Sequence, residues 1–192
     1  MRATVDSQVS AVAAARPSLL IRVALASANP VDWKLMSGGL DALIDTVFPA
    51  IPGWDVAGVV ATVGPDAPEF APGDRGASYG RKDVVHGGPF AEYVALPATS
   101  VAAISEGVGF DSAAGLPLTG LRALRSLETP ALTGADTLLI HAASGGVGYL
   151  AAQLARERGA TVIGTASDRL RDTPGGIGPR QAFHRHDPLS LR

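Results

Sequence analysis

The segment Asp136–Ala166 constrains the fold more than any other part of this chain. Asp136 to Ala142 is a near-continuous apolar run, the pattern of a strand buried on both faces. Gly145 to Gly159 follows with Val147, Leu150, Ala151, Leu154 and Ala155 at helical spacing, so one face of a helix is apolar. Gly159 suits its end, and Arg156 and Arg158 in the last turn suit the negative end of its dipole. Ala160 to Ala166 is a second buried strand. Strand, helix and strand in this order predict one βαβ unit with parallel strands.

Between the first strand and the helix lies Ala142-Ala143-Ser144-Gly145-Gly146-Val147-Gly148. A tight strand-to-helix turn needs residues without a Cβ penalty. A pyrophosphate needs bare N–H groups, and a helix N-terminus supplies partial positive charge. Ala143 stands at the first glycine position of the strict dinucleotide fingerprint, so the motif alone is weak. Its place after a buried strand and before an amphipathic helix is the confirming context. Ser144, Gly145, Gly146, Val147 and Gly148 are therefore expected to bind a dinucleotide. At the end of the second strand, Ser167 and Arg169 suit a 2′-phosphate, which favours NADPH over NADH. Asp168 is alternatively a ribose ligand or a solvated turn residue.

Residues 19–104 have a different texture. Apolar, partly β-branched runs at Ser18–Ala26, Asp55–Val63, Phe90–Leu96 and Val101–Ile104 alternate with Gly/Pro turns, which favours a barrel or sandwich. Gly58 inside the second run predicts a bulge or a close backbone approach. Val31–Met36 reads as a short helical turn, and residues 40–48 as a loop or short helix. Helix resumes at Asp111 and from Leu116 to Leu127. Residues 169–192 hold five Arg, three Pro and three Gly without apolar periodicity, and are read as irregular.

Composition closes off other classes. The 192 residues are 46% hydrophobic and 18% charged, too apolar for a disordered chain. No apolar run is long enough to span a membrane. A net charge of −2 gives no footprint for nucleic acid. The absence of Cys removes disulfides, thiol nucleophiles and Cys-ligated zinc. The N-terminus does not read as a targeting signal, and a cytoplasmic location is expected.

Several stretches, taken in order, resemble the medium-chain dehydrogenase/reductase superfamily, and within it the zinc-independent quinone oxidoreductase branch. They are Asn29-Pro30-Val31-Asp32-Trp33-Lys34, Pro52-Gly53-Trp54-Asp55-Val56-Ala57-Gly58-Val59-Val60 and Phe70-Ala71-Pro72-Gly73-Asp74-Arg75. Phe90-Ala91-Glu92-Tyr93-Val94, Leu116-Pro117-Leu118-Thr119-Gly120-Leu121 and the fingerprint complete the set. The resemblance runs from about Val23 to Ser167. It implies a mixed α+β and α/β chain: a GroES-like β-barrel domain followed by the first βαβ unit of a Rossmann fold, with NADPH between them. On this reading residues 1–115 form the GroES-like catalytic domain (1–18 atypical), 116–168 a partial Rossmann domain and 169–192 an irregular tail.

The resemblance also implies hydride transfer to a quinone, enone or related carbonyl without zinc. Zinc-dependent relatives have Cys and His ligands where this chain has Pro30-Val31-Asp32 and Trp54-Asp55, so no metal is expected. By similarity Thr119 lies near the nicotinamide and Asn29 near the reacting ring. Asn29 then donates a hydrogen bond to a carbonyl oxygen gaining charge; equally, it only caps the chain before Pro30. Asp32, Trp33 and Lys34 are expected in the cleft, and Asp55 and Asp74 in structural turns. The expected partner is a small-molecule carbonyl or quinone, with no nucleic acid and no membrane. A homodimer is left open.

A complete doubly wound domain has about six parallel strands, and the sequence reading finds two. The resemblance stops near Asp168. With 14 Arg against 2 Lys, the tail reads as a frameshifted end in a GC-rich gene. The alternative expectation is therefore a non-catalytic truncated fragment, a barrel with a cofactor-domain stub acting at most as an interaction module.

Overall fold

The computed structural model describes residues 18–65, 67–166 and 181–184. Two compact units divide after Leu118.

The first unit is built on an antiparallel sheet in the order β6-β1-β3-β4-β7. Its strands are β1 (Ser18–Ser27), β3 (Asp55–Val63), β4 (Arg75–Tyr79), β6 (Tyr93–Pro97) and β7 (Val101–Ala103). β2 (Asp45–Ile51) and β5 (Val84–Gly87) form a separate parallel pair. Alternation along β1, β3 and β6 sends Leu19, Ile21, Val56, Val60, Val94 and Leu96 into one core. Gly58 behaves as its position predicts. A Cβ there would collide with the carbonyl oxygen of Arg22, and β1 carries an extra residue, Ala24, opposite it. That is a bulge paired with a glycine.

Among the described residues, two α-helices lie wholly within this unit. α1 (Pro30–Met36) begins with proline at its first position, where no N–H is needed. α2 (Phe110–Gly115) packs Ala113 and Ala114 on Ala57 of β3. Arg75 pins the approach to α2: it donates to the Val108 carbonyl at 2.6 Å and lies 4.5 Å from the Phe110 ring centre. The sequence reading did not anticipate β2, β4 or β5. The strand expected at Phe90–Leu96 begins only at Tyr93.

The second unit contains α3 (Pro117–Glu128) from Thr119 onward, β8 (Thr137–Ile140), α4 (Gly146–Glu157), β9 (Thr161–Ala166) and β10 (Gln181–His184). The sheet order is β10-β9-β8, all parallel. The βαβ unit forms as expected, and its core joins Leu127, Ala152, Ala155, Ala160 and Val162. Three expectations need correction. Asp136 lies outside β8, because its carboxylate accepts the Thr133 N–H and hydroxyl at 2.8 Å each and closes a turn. β8 is not buried on both faces: Leu138 and Ile140 pack inward, but Leu139 is 44% exposed. Gln181–His184, read as irregular, pairs with β9 and makes a third strand. Pairing across a long connection leaves no local periodicity for a sequence reading to find.

Candidate dinucleotide turn and buried asparagine site

The glycine-rich turn is built from its backbone outward. Ala142 has φ +53°, a left-handed conformation uncommon outside glycine and asparagine. Its carbonyl accepts the Gly145 N–H at 2.9 Å, closing the turn. Gly145 caps α4, and the Gly145 carbonyl accepts Tyr149 N–H at 2.8 Å as the first helical bond. By helix geometry the N–H groups of Gly146, Val147 and Gly148 then have no intrahelical acceptor.

The three glycines do different things. A Cβ on Gly148 would run into the Ala142 carbonyl and stand 2.8 Å from Ala143 Cα, so only glycine lets the helix approach the strand end. A Cβ on Gly146 would stand 3.1 Å from the Thr119 methyl. Thr119 is therefore brought against the turn. Gly145 and Gly146 are exposed and Gly148 is buried. Exposed, side-chain-free N–H groups at a helix start fit a pyrophosphate. Ser144 and Val147 are half-buried within the same turn. Ser167 and Arg169 lie outside the described residues.

One residue at this turn, Thr165, is not marked by any local pattern, whereas His141 is exposed at the strand end where a lone histidine is expected. Thr165 on β9 reaches the turn because the register pairs Ile140 with Gly164, setting Thr165 beside His141. Its carbonyl accepts Ala143 N–H at 2.9 Å, and its Oγ1 accepts Ala142 N–H at 3.2 Å. His141 Nδ1 lies 3.3 Å from the same Oγ1. The parallel register was the signal that would have found Thr165.

Asn29 sits in the first unit, 8% exposed, at the N-cap of α1. Its backbone N–H donates to Asp32 Oδ2 at 2.7 Å, half of a capping box. Its side-chain Nδ2 donates to Asp55 Oδ2 at 2.9 Å, and Asp55 Oδ1 accepts Leu118 N–H at 3.0 Å. An ionised carboxylate only accepts, so Asp55 fixes which end of the Asn29 amide faces it. Asp55 is fully buried. Desolvation pushes its carboxyl up to about 6; the Asn29 and Leu118 donors oppose this, and the neighbouring Asp32 charge adds to it. Burial likewise raises Asp32, against hydrogen bonds from Asn29 and Gly53 N–H.

The sequence places Asp55 as a structural residue accepting backbone hydrogen bonds in a turn; it does accept one, from Leu118, but not in a turn. Instead it starts β3 and joins Asn29 to Leu118, contacts 26 and 63 residues away in sequence. Of the residues expected in the cleft, Asp32 is buried and Trp33 is 57% exposed. Asp74 does close a turn, accepting Ala71 N–H at 2.8 Å. A separate cavity of about 530 Å³ opens between α1 and β2, walled by Leu35, Met36, Ile44 and Phe48 with Asp41 and Asp45.

Residues 16–106 match the alcohol dehydrogenase GroES-like domain. The chain is 36% identical over 155 residues to the chloroplast envelope quinone oxidoreductase homolog of Arabidopsis thaliana, covering 78% of this chain and 46% of that one. The quinone oxidoreductase of Coxiella burnetii superposes with TM-score 0.77 at 34% identity, over 90% of this chain and 55% of that one. A mycobacterial structure complexed with NADPH gives TM-score 0.76 at 27% identity, over 91% and 52%. The chain thus spans about half the length of the curated relatives it matches. No helix among the described residues is long and apolar enough to cross a membrane. The glycine-walled turn, the antiparallel sheet and these likenesses agree: the chain belongs to the medium-chain dehydrogenase/reductase superfamily, on its quinone oxidoreductase-like side.

Proposed function

We propose that this chain is an NADPH-dependent oxidoreductase of the zinc-independent quinone reductase type, acting on a quinone, enone or related carbonyl. The turn Ala142–Gly148 carries this reading: three N–H groups at a helix start lack an intrahelical acceptor, and Gly145 and Gly146 leave the start of the turn exposed. The mycobacterial relative solved with NADPH supports the choice of cofactor. The bound nicotinamide supplies a hydride. Ser144 to Gly148 hold the pyrophosphate, Ser167 and Arg169 the 2′-phosphate, and Thr119 stands against the turn at Gly146. Asn29 keeps one amide hydrogen beyond the one given to Asp55, and offers it to an acceptor oxygen gaining negative charge. No metal takes part in this reading, and the residues at the zinc-ligand positions of the family include Trp54, which cannot bind one.

A second reading is favoured by the exposed face of β8 at Leu139. A doubly wound sheet has both faces covered, so a cofactor-binding module without turnover also fits. Titrating the purified chain with NADPH separates the outcomes. Saturable binding tighter than about 100 μM, or some −5.5 kcal/mol, with a rise in melting temperature, supports the cofactor site. NADPH oxidation with a simple quinone then supports the enzyme, and its absence the binding module. No binding by a folded sample overturns both.

A further inference from the structure

We propose that Thr165 is the positioning residue of the dinucleotide turn, holding Ala142 in its left-handed conformation through two hydrogen bonds from β9. This rests on the cofactor reading above. A non-glycine residue with positive φ persists only where its surroundings over-determine it. Ala142 is held on one side by Gly145 N–H on its carbonyl and by the close approach of Gly148. On the other side both constraints come from one residue. Thr165 Oγ1 receives the Ala142 N–H at 3.2 Å, and the Thr165 carbonyl receives the next N–H, from Ala143, at 2.9 Å. The carbonyl bond survives any substitution; the hydroxyl bond does not. Without it the Ala142 N–H loses its acceptor, and the peptide is free to rotate toward ordinary φ. That rotation turns the Ala142 carbonyl away from Gly145 and disturbs the helix start where the open N–H groups converge. The hydroxyl of Thr165 thus acts on the cofactor site through the backbone of the turn. His141 Nδ1, 3.3 Å from the same oxygen, is tied to the same point.

The test compares Thr165→Val, which keeps the shape and loses the hydroxyl, with Thr165→Ser, which keeps the hydroxyl. Amide hydrogen exchange at Ala142 is read by NMR on the chain without NADPH. Exchange about tenfold faster in T165V and unchanged in T165S is expected, since one hydrogen bond is worth about a factor of ten. NADPH affinity is expected to fall about tenfold in T165V alone. Ala142→Gly in the T165V background removes the Cβ penalty and is expected to recover affinity. A general packing loss would not be rescued that way. Equal Ala142 exchange in T165V and wild type overturns the inference, as does full NADPH affinity in T165V. Should the wild type fail to bind NADPH, the cofactor reading falls, and the exchange comparison still decides what holds Ala142. A T165V chain that does not fold while T165S and T165V/A142G do also supports the inference; failure of all three overturns it.

Discussion

At the scale of single residues, two positions make sharp predictions. Gly148→Ala places a methyl against backbone on two sides, the Ala142 carbonyl and Ala143 Cα. Neither neighbour is a flexible side chain that can swing away. We expect a loss of about 1–3 kcal/mol in urea unfolding, and loss of NADPH binding at concentrations that saturate the wild type. Asp55 predicts a pH dependence whose sign is fixed by its burial. Its folded pKa, about 6, lies above the ordinary 3.8. The native state therefore holds the proton more tightly than the unfolded chain. The resulting stability is complete below about pH 3.8 and disappears as pH rises through about 6. Asp32 is shifted in the same direction, while the exposed Asp136, held down by its Thr133 hydrogen bonds, works the other way. Comparison with Asp55→Asn isolates the one group: the difference in unfolding free energy between wild type and D55N should change between pH 4 and pH 8, by up to about 3 kcal/mol. A pH-independent difference would show that Asp55 titrates normally.

At the scale of elements, an exposed strand position and a buried one should respond differently. Leu139→Lys changes an exposed position and is expected to cost less than about 0.5 kcal/mol while raising solubility. Ile21→Ala on β1 empties a fully buried site and is expected to cost about 2–5 kcal/mol, measured by denaturant midpoint. The same contrast explains what the sequence disclosed. β1, β3 and α4 were legible because their apolar periods are long and unbroken. Residues Ser144 to Gly148 were legible because the glycines sit between a strand and a helix. β4 reads Arg-Gly-Ala-Ser-Tyr, with no branched apolar residue to mark it. β2 carries Pro49 within its span, which argues against a strand in any local reading. The Asn29–Asp55–Leu118 network and the Thr165 contacts depend on pairing across 22 to 63 residues. Short-range patterns hold no record of such partners; once strand register is known, Thr165 follows at once.

At the scale of the whole molecule, each unit has its own core, one centred on Leu19, Ile21 and Val56, the other on Leu127, Ala155 and Val162. A chain ending at Leu118 is expected to retain the strand signal in circular dichroism and a cooperative melt. Loss of both would show that the first core does not suffice alone. The position of β1 adds a consequence for how the protein is made. It is the second strand of its sheet, bonded to β3 on one side and β6 on the other. The register joins Ser18 to Pro97. A nascent chain leaving the ribosome therefore carries an apolar strand that finds its first neighbour when β3 emerges, and its second, β6, only after about thirty more residues have been translated. During that interval one edge of β1 is an open template for other strands. Slow elongation before Pro97 would prolong this exposure, so synthesis rate and chaperone supply bear most heavily on the first half of the message.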